Sequence, residues 1–189
     1  MINYCTVKRF FDIILSLILL VCLLPIFLII SVIIRLQDGG PSIFRQERIG
    51  KKGVVFRFYK FRSMPLSTPN LESKDTKKLQ ITPFGKFIRR TNLDELPQFY
   101  NVLKGDMSFI GPRPPIPSQT ELIELRRMNG ALQLSPGLTG WAQVNSFDGM
   151  SVSEKAKFDG EYALKICFLF DCKILLKTAL YFTKKPPTY

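Results

Sequence analysis

Histidine is absent from all 189 residues, which excludes Ser-His-Asp triads, Cys-His nucleophiles and most zinc sites. An acid, base or nucleophile in this chain is expected to be a carboxylate. Cysteine is scarce too. Cys5, Cys22, Cys167 and Cys172 lack metal-type spacing, and two lie in apolar runs where a thiol serves as a small hydrophobe, which fits a reducing compartment. Acidic residues number 15 against 27 Lys and Arg, a net charge of +12. That balance speaks of partners (phosphates, nucleic acid or an anionic membrane) and not of fold. The length suits one domain with a real core plus an anchor.

What is present begins with an uncharged run. Residues 13–34 read IILSLILLVCLLPIFLIISVII and, as a helix at about 1.5 Å per residue, span roughly 33 Å, enough to cross a bilayer. The run is longer than a signal-peptide core, and no small-x-small cleavage site follows it. Pro25, near its middle, removes a backbone donor and crowds the preceding turn, predicting a kink. Both flanks are basic, with Lys8-Arg9 before and Arg35, Arg45, Arg48, Lys51, Lys52, Arg57, Lys60 and Arg62 after, so the positive-inside rule gives no orientation for a spanning helix. A re-entrant helix bent at Pro25, with both ends on the cytoplasmic face, satisfies both flanks. The residues alone leave it even with a kinked span.

Beyond Gly39-Gly40-Pro41, the runs 43–49 and 54–61 flank Gly50-Lys51-Lys52-Gly53, a four-residue turn, and predict a basic β-hairpin. Strand alternation puts Val54, Phe56, Phe58 and Lys60 on one face, with Arg62 if the strand continues. Residues 65–78 read as an exposed loop. Thr82-Pro83 predicts an N-cap opening a short helix to Arg90, interrupted by Thr91-Asn92. Residues 119–128 read as a charged helix. Ser135-Pro136-Gly137-Leu138-Thr139-Gly140-Trp141 reads either as a loop that approaches a ligand closely or as a rigid connector with a buried indole.

Residues 155–183 are helical in pattern, with Lys165, Lys173 and Lys177 in one sector and Leu164, Phe168 and Leu175 opposite. Asp171 falls in the apolar stripe and needs a partner, structural or functional. The aromatic and lysine content of 168–185 suits a helix in the membrane interface.

The chemistry concentrates at Leu93-Asp94-Glu95-Leu96-Pro97, with Lys104-Gly105-Asp106-Met107-Ser108-Phe109-Ile110-Gly111-Pro112-Arg113-Pro114 shortly after. A helix from about Glu95 to Lys104 would place both carboxylates at its N-terminus, where they could be an ordinary cap or face a bound anion. A stiff Gly/Pro turn then carries Arg113.

In order along the chain, Lys8-Arg9-x-x-Asp12, Phe58-Tyr59-Lys60-Phe61-Arg62-Ser63-Met64, Leu93-Asp94-Glu95-Leu96-Pro97-Gln98, Asn101-Val102-Leu103-Lys104-Gly105-Asp106-Met107-Ser108, Gly111-Pro112-Arg113-Pro114 and Pro136-Gly137-Leu138-Thr139-Gly140-Trp141 resemble the small monotopic phosphoglycosyl transferases, bacterial sugar transferases acting on polyprenyl phosphate. The resemblance implies an α+β fold: one membrane-associated catalytic domain over residues 37–189 and a re-entrant membrane helix over residues 1–36, with the domain on the cytoplasmic face of the bacterial inner membrane. Members often place Ser-Pro at the helix break, where this chain has Leu24-Pro25.

By the same resemblance, a sugar 1-phosphate passes from a UDP-sugar donor to undecaprenyl phosphate with release of UMP, in ping-pong fashion. Asp94 would be the nucleophile that becomes covalently phosphosugared. Glu95, beside Asp94, would hold a Mg²⁺ cofactor. Lys60, Arg62, Arg89 and Arg113 would grip phosphates, and Asp159 and Asp171 would support them. Expected partners are the UDP-sugar, the polyprenyl phosphate, anionic lipids and a second copy in a homodimer, with no nucleic acid. The rival readings are a membrane-anchored basic binding module without catalysis, and a glycosyltransferase releasing UDP.

Overall fold

The computed structural model describes residues 4–65, 81–145 and 150–182; most of the loop expected over 65–78 lies outside them. Two N-terminal helices, α1 (Tyr4–Cys22) and α2 (Leu24–Asp38), meet at Leu23 with a 60° bend. The bend falls two residues before Pro25, which sits in the first turn of α2, because the missing N–H and the ring disrupt the turn preceding the proline. No single described helix is long and apolar enough to cross a membrane; the bent pair passes that test only together.

α1 carries an inverted pattern, and α2 is apolar on both its buried and its exposed sides. α1 buries Asp12 and Ser16 while exposing Phe10, Phe11, Leu15, Leu17, Ile18 and Val21; α2 buries Ile30 and Ile34 and exposes Leu24, Leu28, Ile29, Val32 and Leu36. α2 ends where Gly39 turns left-handed.

The hairpin forms as its pattern predicts. β1 (Ile43–Ile49) pairs antiparallel with β2 (Val55–Phe61), Ile43 opposite Phe61 and Ile49 opposite Val55, around a short 3₁₀ turn at Lys51–Gly53. One face of β2 gives Phe56 and Phe58 to a cluster with Val102 and Met107. Phe61 instead joins Ile30, Ile34 and Ile88, tying the hairpin to α2.

α3 (Pro83–Arg90) starts at Thr82, whose hydroxyl accepts from Gly85 N–H at 2.9 Å, a cap contributing about 1 kcal/mol. α4 (Gln98–Lys104) ends at left-handed Gly105. A two-stranded parallel pair, β3 (Ser108–Ile110) with β4 (Gly137–Thr139), encloses α5 (Thr120–Met128).

After a short α6 (Trp141–Val144), the helix expected over 155–183 is two: α7 (Val152–Lys165) behind a Ser151/Glu154 capping box, then α8 (Phe168–Phe182), with the chain extended at Ile166. Lys173 and Lys177 share one sector, and both ammonium groups sit over the Trp141 ring, at 5.3 and 4.7 Å from its centroid, while Lys173 stays exposed. α8 exposes Phe168, Leu169, Leu175, Leu176 and Leu180.

Candidate functional site

Asp94 and Glu95 do not open a helix. Asn92 adopts a left-handed conformation (φ 54°), Leu93–Glu95 form a 3₁₀ turn, and α4 begins only at Gln98, because Pro97 has no N–H to offer the preceding turn. Neither residue caps that turn or α4 through its side chain. Leu93 and Leu96 instead dock on the Ile30, Ile34, Phe61 and Ile88 cluster, which anchors the turn against α2 and leaves Asp94 and Glu95 in the wall of a cleft.

The cleft has a volume of about 560 Å³ and gathers six cations, Arg48, Lys60, Arg89, Arg113, Arg126 and Lys155, around the two carboxylates. Asp94 is 7% exposed, and burial, with the adjacent Glu95 charge, raises its pKa to about 6; Lys60 and Arg89 pull the other way. Burial lowers Lys60, opposed by the Asp94 charge, and lowers Arg48 to about 10. Arg113 Nη2 lies 3.1 Å from Glu95 Oε1, and Arg89 Nε donates to Ser63 Oγ at 2.8 Å. The result is a carboxylate that is ionised near neutral pH yet poorly solvated, facing a surface built for anions.

By donor chemistry, Asp94 and Glu95 are the residues that could hold a magnesium ion. Mg²⁺ is commonly held by one or two carboxylates, with waters and substrate phosphates completing its octahedron. Asp94 and Glu95 supply that number of hard oxygen ligands, and a dication would relieve the Glu95 repulsion that adds to burial in raising Asp94. Among the described residues no group of three or more acidic, Cys or His side chains offers an all-protein cage.

The glycines of the two Gly/Pro segments serve packing between the segments, while Arg113, Pro114 and Pro115 line the cleft. A Cβ on Gly111 would lie 2.3 Å from Ser135 O, and one on Gly137 would lie 2.1 Å from Gly111 N, so the two glycines permit backbone-to-backbone packing and not ligand approach. Trp141 is the partly buried indole at the end of the second segment, its Nε1–H donating to Glu161 at 3.0 Å.

The chain matches the family described as bacterial sugar transferase over residues 3–185. It belongs to that family. It is 40% identical over 187 residues to a galactosyl transferase CpsE of Streptococcus agalactiae, covering 90% of this chain and 41% of the relative. It is 38% identical over 182 residues to the UDP-glucose:undecaprenyl-phosphate glucose-1-phosphate transferase of Escherichia coli, covering 90% and 39%. An uncharacterized sugar transferase EpsL of Bacillus subtilis is 38% identical over 174 residues, covering 90% and 84%. The chain thus spans about two fifths of the first two relatives and most of the third.

In this family member the expected site residues divide into two groups. Lys60, Arg89, Asp94, Glu95 and Arg113 come together in the cleft. Arg62 does not line it: β2 pairing stops at Phe61, alternation ends there, and the guanidinium is buried in an ion pair with Asp38 at the end of α2. Asp159 lies behind the cleft, paired with Arg126 (Nη2 to Oδ2, 2.6 Å). Asp171 is remote from it, accepting from Lys8, Tyr4 and Tyr162.

Lys8-Arg9-x-x-Asp12 serves as a docking collar. Arg9 donates to the Val102 and Leu103 carbonyls at the end of α4 (2.5 and 2.8 Å), and Asp12 accepts from Phe109 N–H in β3 (3.2 Å). These two cations, read from sequence as a topogenic flank, are therefore spent inside the protein. Arg48 and Arg126 were missed. Each bonds a carbonyl more than ten residues away, Arg48 to Pro114 and Arg126 to Arg113, and no local motif signals that.

Proposed function

We propose that the chain is a phosphoglycosyl transferase that moves a sugar 1-phosphate from a UDP-sugar to undecaprenyl phosphate and releases UMP. The observation that carries this reading is Asp94, a buried carboxylate with pKa about 6 beside Glu95, Lys60 and Arg89 in a cation-lined cleft. The name of the Escherichia coli relative, a UDP-glucose:undecaprenyl-phosphate glucose-1-phosphate transferase, supplies the donor and acceptor classes.

An ionised Asp94 oxygen attacks the β-phosphorus of the donor. The bond from that phosphorus to the bridging oxygen breaks, its electron pair leaves with UMP, and the phosphosugar stays on Asp94 as an acyl phosphate. A phosphate oxygen of the polyprenyl acceptor then attacks the same phosphorus, and the electron pair of the acyl-phosphate bond returns to the Asp94 carboxylate. Lys60 and Arg89 neutralise the non-bridging oxygens, and Arg113 offers a two-pronged grip to the diphosphate. Mg²⁺ bound by Asp94 and Glu95 would supply further charge neutralisation.

The anchor reading rests on the apolar surface that α1 and α2 leave exposed and on the inverted burial of α1. A pair that buries Asp12 and Ser16 and exposes leucine, isoleucine and phenylalanine suits hydrocarbon surroundings, and a 60° bend suits a re-entrant path with the domain on the cytoplasmic face of the bacterial inner membrane. The exposed apolar side of α8 and the surface lysines then meet interface and anionic headgroups.

The test is nucleotide release from a panel of UDP-sugars with undecaprenyl phosphate in detergent. Release of UMP, abolished by Asp94→Asn, is expected; release of UDP would favour a glycosyltransferase that leaves the phosphate behind.

A further inference from the structure

The turn that carries Arg113 is held at every carbonyl from 112 to 115. Pro112 accepts from Gly137 N–H (2.9 Å), Arg113 from Arg126 Nη1 (2.8 Å), Pro114 from Arg48 Nη1 (3.1 Å) and Pro115 from Ile49 N–H (2.9 Å). The donors come from β4, α5 and the end of β1. Prolines at 112, 114 and 115 have no N–H, so carbonyls are the main handles by which this backbone can be fixed.

Arg126 stands apart from the other three donors. Its side chain is 5% exposed and that of its partner Asp159 1% exposed, with Nε and Nη2 on the same carboxylate oxygen at 2.8 and 2.6 Å. Such a pair is costly to desolvate, and apolar side chains of similar volume would often hold the fold as well or better. What apolar side chains could not do is donate a hydrogen bond to the carbonyl of Arg113. The Arg113 side chain itself stays about half exposed, reaching Glu95 from this fixed backbone.

We infer that Arg126 is a positioning residue for the transfer reaction: Asp159 fixes two of its nitrogens, and the third sets the Arg113 backbone and so the reach of the Arg113 guanidinium over Glu95 and the donor diphosphate. Arg126 acts through Arg113, and Asp159 acts through Arg126. The inference rests on the proposed phosphoglycosyl transfer.

A double-mutant cycle on the donor half-reaction tests it, using the full chain in detergent, a UDP-sugar turned over by the wild type, and no acceptor. Arg126→Lys keeps a charge opposite Asp159 but loses the planar fork that also reaches the carbonyl. The UMP burst rate is expected to fall about tenfold or more with the burst amplitude kept near one per chain. In an Arg113→Ala background the same substitution should change the rate less than about twofold, because its route of action is already gone.

Equal losses in both backgrounds, or a loss confined to amplitude, would overturn the inference. If Arg126→Lys does not fold, Asp159→Asn goes through the same cycle under the same criterion. A wild-type chain that releases no UMP overturns the function reading and this inference together, whereas a wild-type burst with equal losses overturns the inference alone.

Discussion

Lys8 and Asp171 lie 163 positions apart and form one ion pair, partly buried at Lys8 and buried at Asp171, joined on the same carboxylate by the hydroxyls of Tyr4 and Tyr162. The pair fastens the start of α1 to α8, so the N-terminal helix is bolted to the domain by charge as well as by packing. Lys8→Met should remove a charge from a site where Asp171 then stands without its cation, destabilising the chain by about 3–5 kcal/mol. A thermal melt in detergent checks this. An unchanged midpoint would mean that Asp171 is adequately held by the two tyrosines.

Asp94 is expected to cost stability for the sake of reactivity. Its folded pKa of about 6 lies above the ordinary carboxylate value, so the fold binds the proton more tightly than the unfolded chain does. The stability gained from that proton is fully present below about pH 4 and is lost as pH rises through about 6, a cost on the order of 3 kcal/mol at neutral pH. Asp94→Asn should therefore be inactive yet melt higher at neutral pH, with the advantage shrinking towards about pH 4. A variant that melts lower at neutral pH would contradict the raised pKa.

The same titration sets the acid side of the rate profile. The UMP burst rate should decline below about pH 6 as the nucleophile takes up a proton. Lys60 lowers the Asp94 pKa and Glu95 raises it, so Lys60→Met should move the acid limb to higher pH and Glu95→Gln to lower pH. Limbs that do not move, or move together, would place the titrating group elsewhere.

The re-entrant path predicts that both ends of the bent pair face one side. With the other cysteines replaced, Cys5 at the start of α1 and a cysteine introduced by Gln37→Cys near the end of α2 should both react with an impermeant thiol reagent from the cytoplasmic face of inverted vesicles. Labelling from opposite faces would make α1 and α2 a kinked span.

Local features were legible in the sequence. The hairpin bounds, the Thr82 cap and the Gly105 stop each depend on neighbours in the chain, and all lie within a residue or two of their expected places. What was illegible depends on distant partners. Arg62 pairs with Asp38, 24 positions back, as the strand does not continue past Phe61, and Lys173 and Lys177 sit over an indole some thirty residues away in sequence. The break between α7 and α8 carries neither Gly nor Pro, so no local signal marks it. Asp94 was found through its motif, yet its setting differs from the motif's simplest geometry: the 3₁₀ turn, anchored through Leu93 and Leu96, replaces the expected helix start.

The most direct test of Asp94 as a covalent carrier is intact-protein and peptide mass spectrometry after incubation with each UDP-sugar and Mg²⁺ in the absence of undecaprenyl phosphate. One donor should yield about one UMP per chain and a mass gain equal to the sugar phosphate, located on Asp94 and discharged when undecaprenyl phosphate is added. Turnover that requires both substrates together, with no adduct at Asp94, would contradict the covalent mechanism.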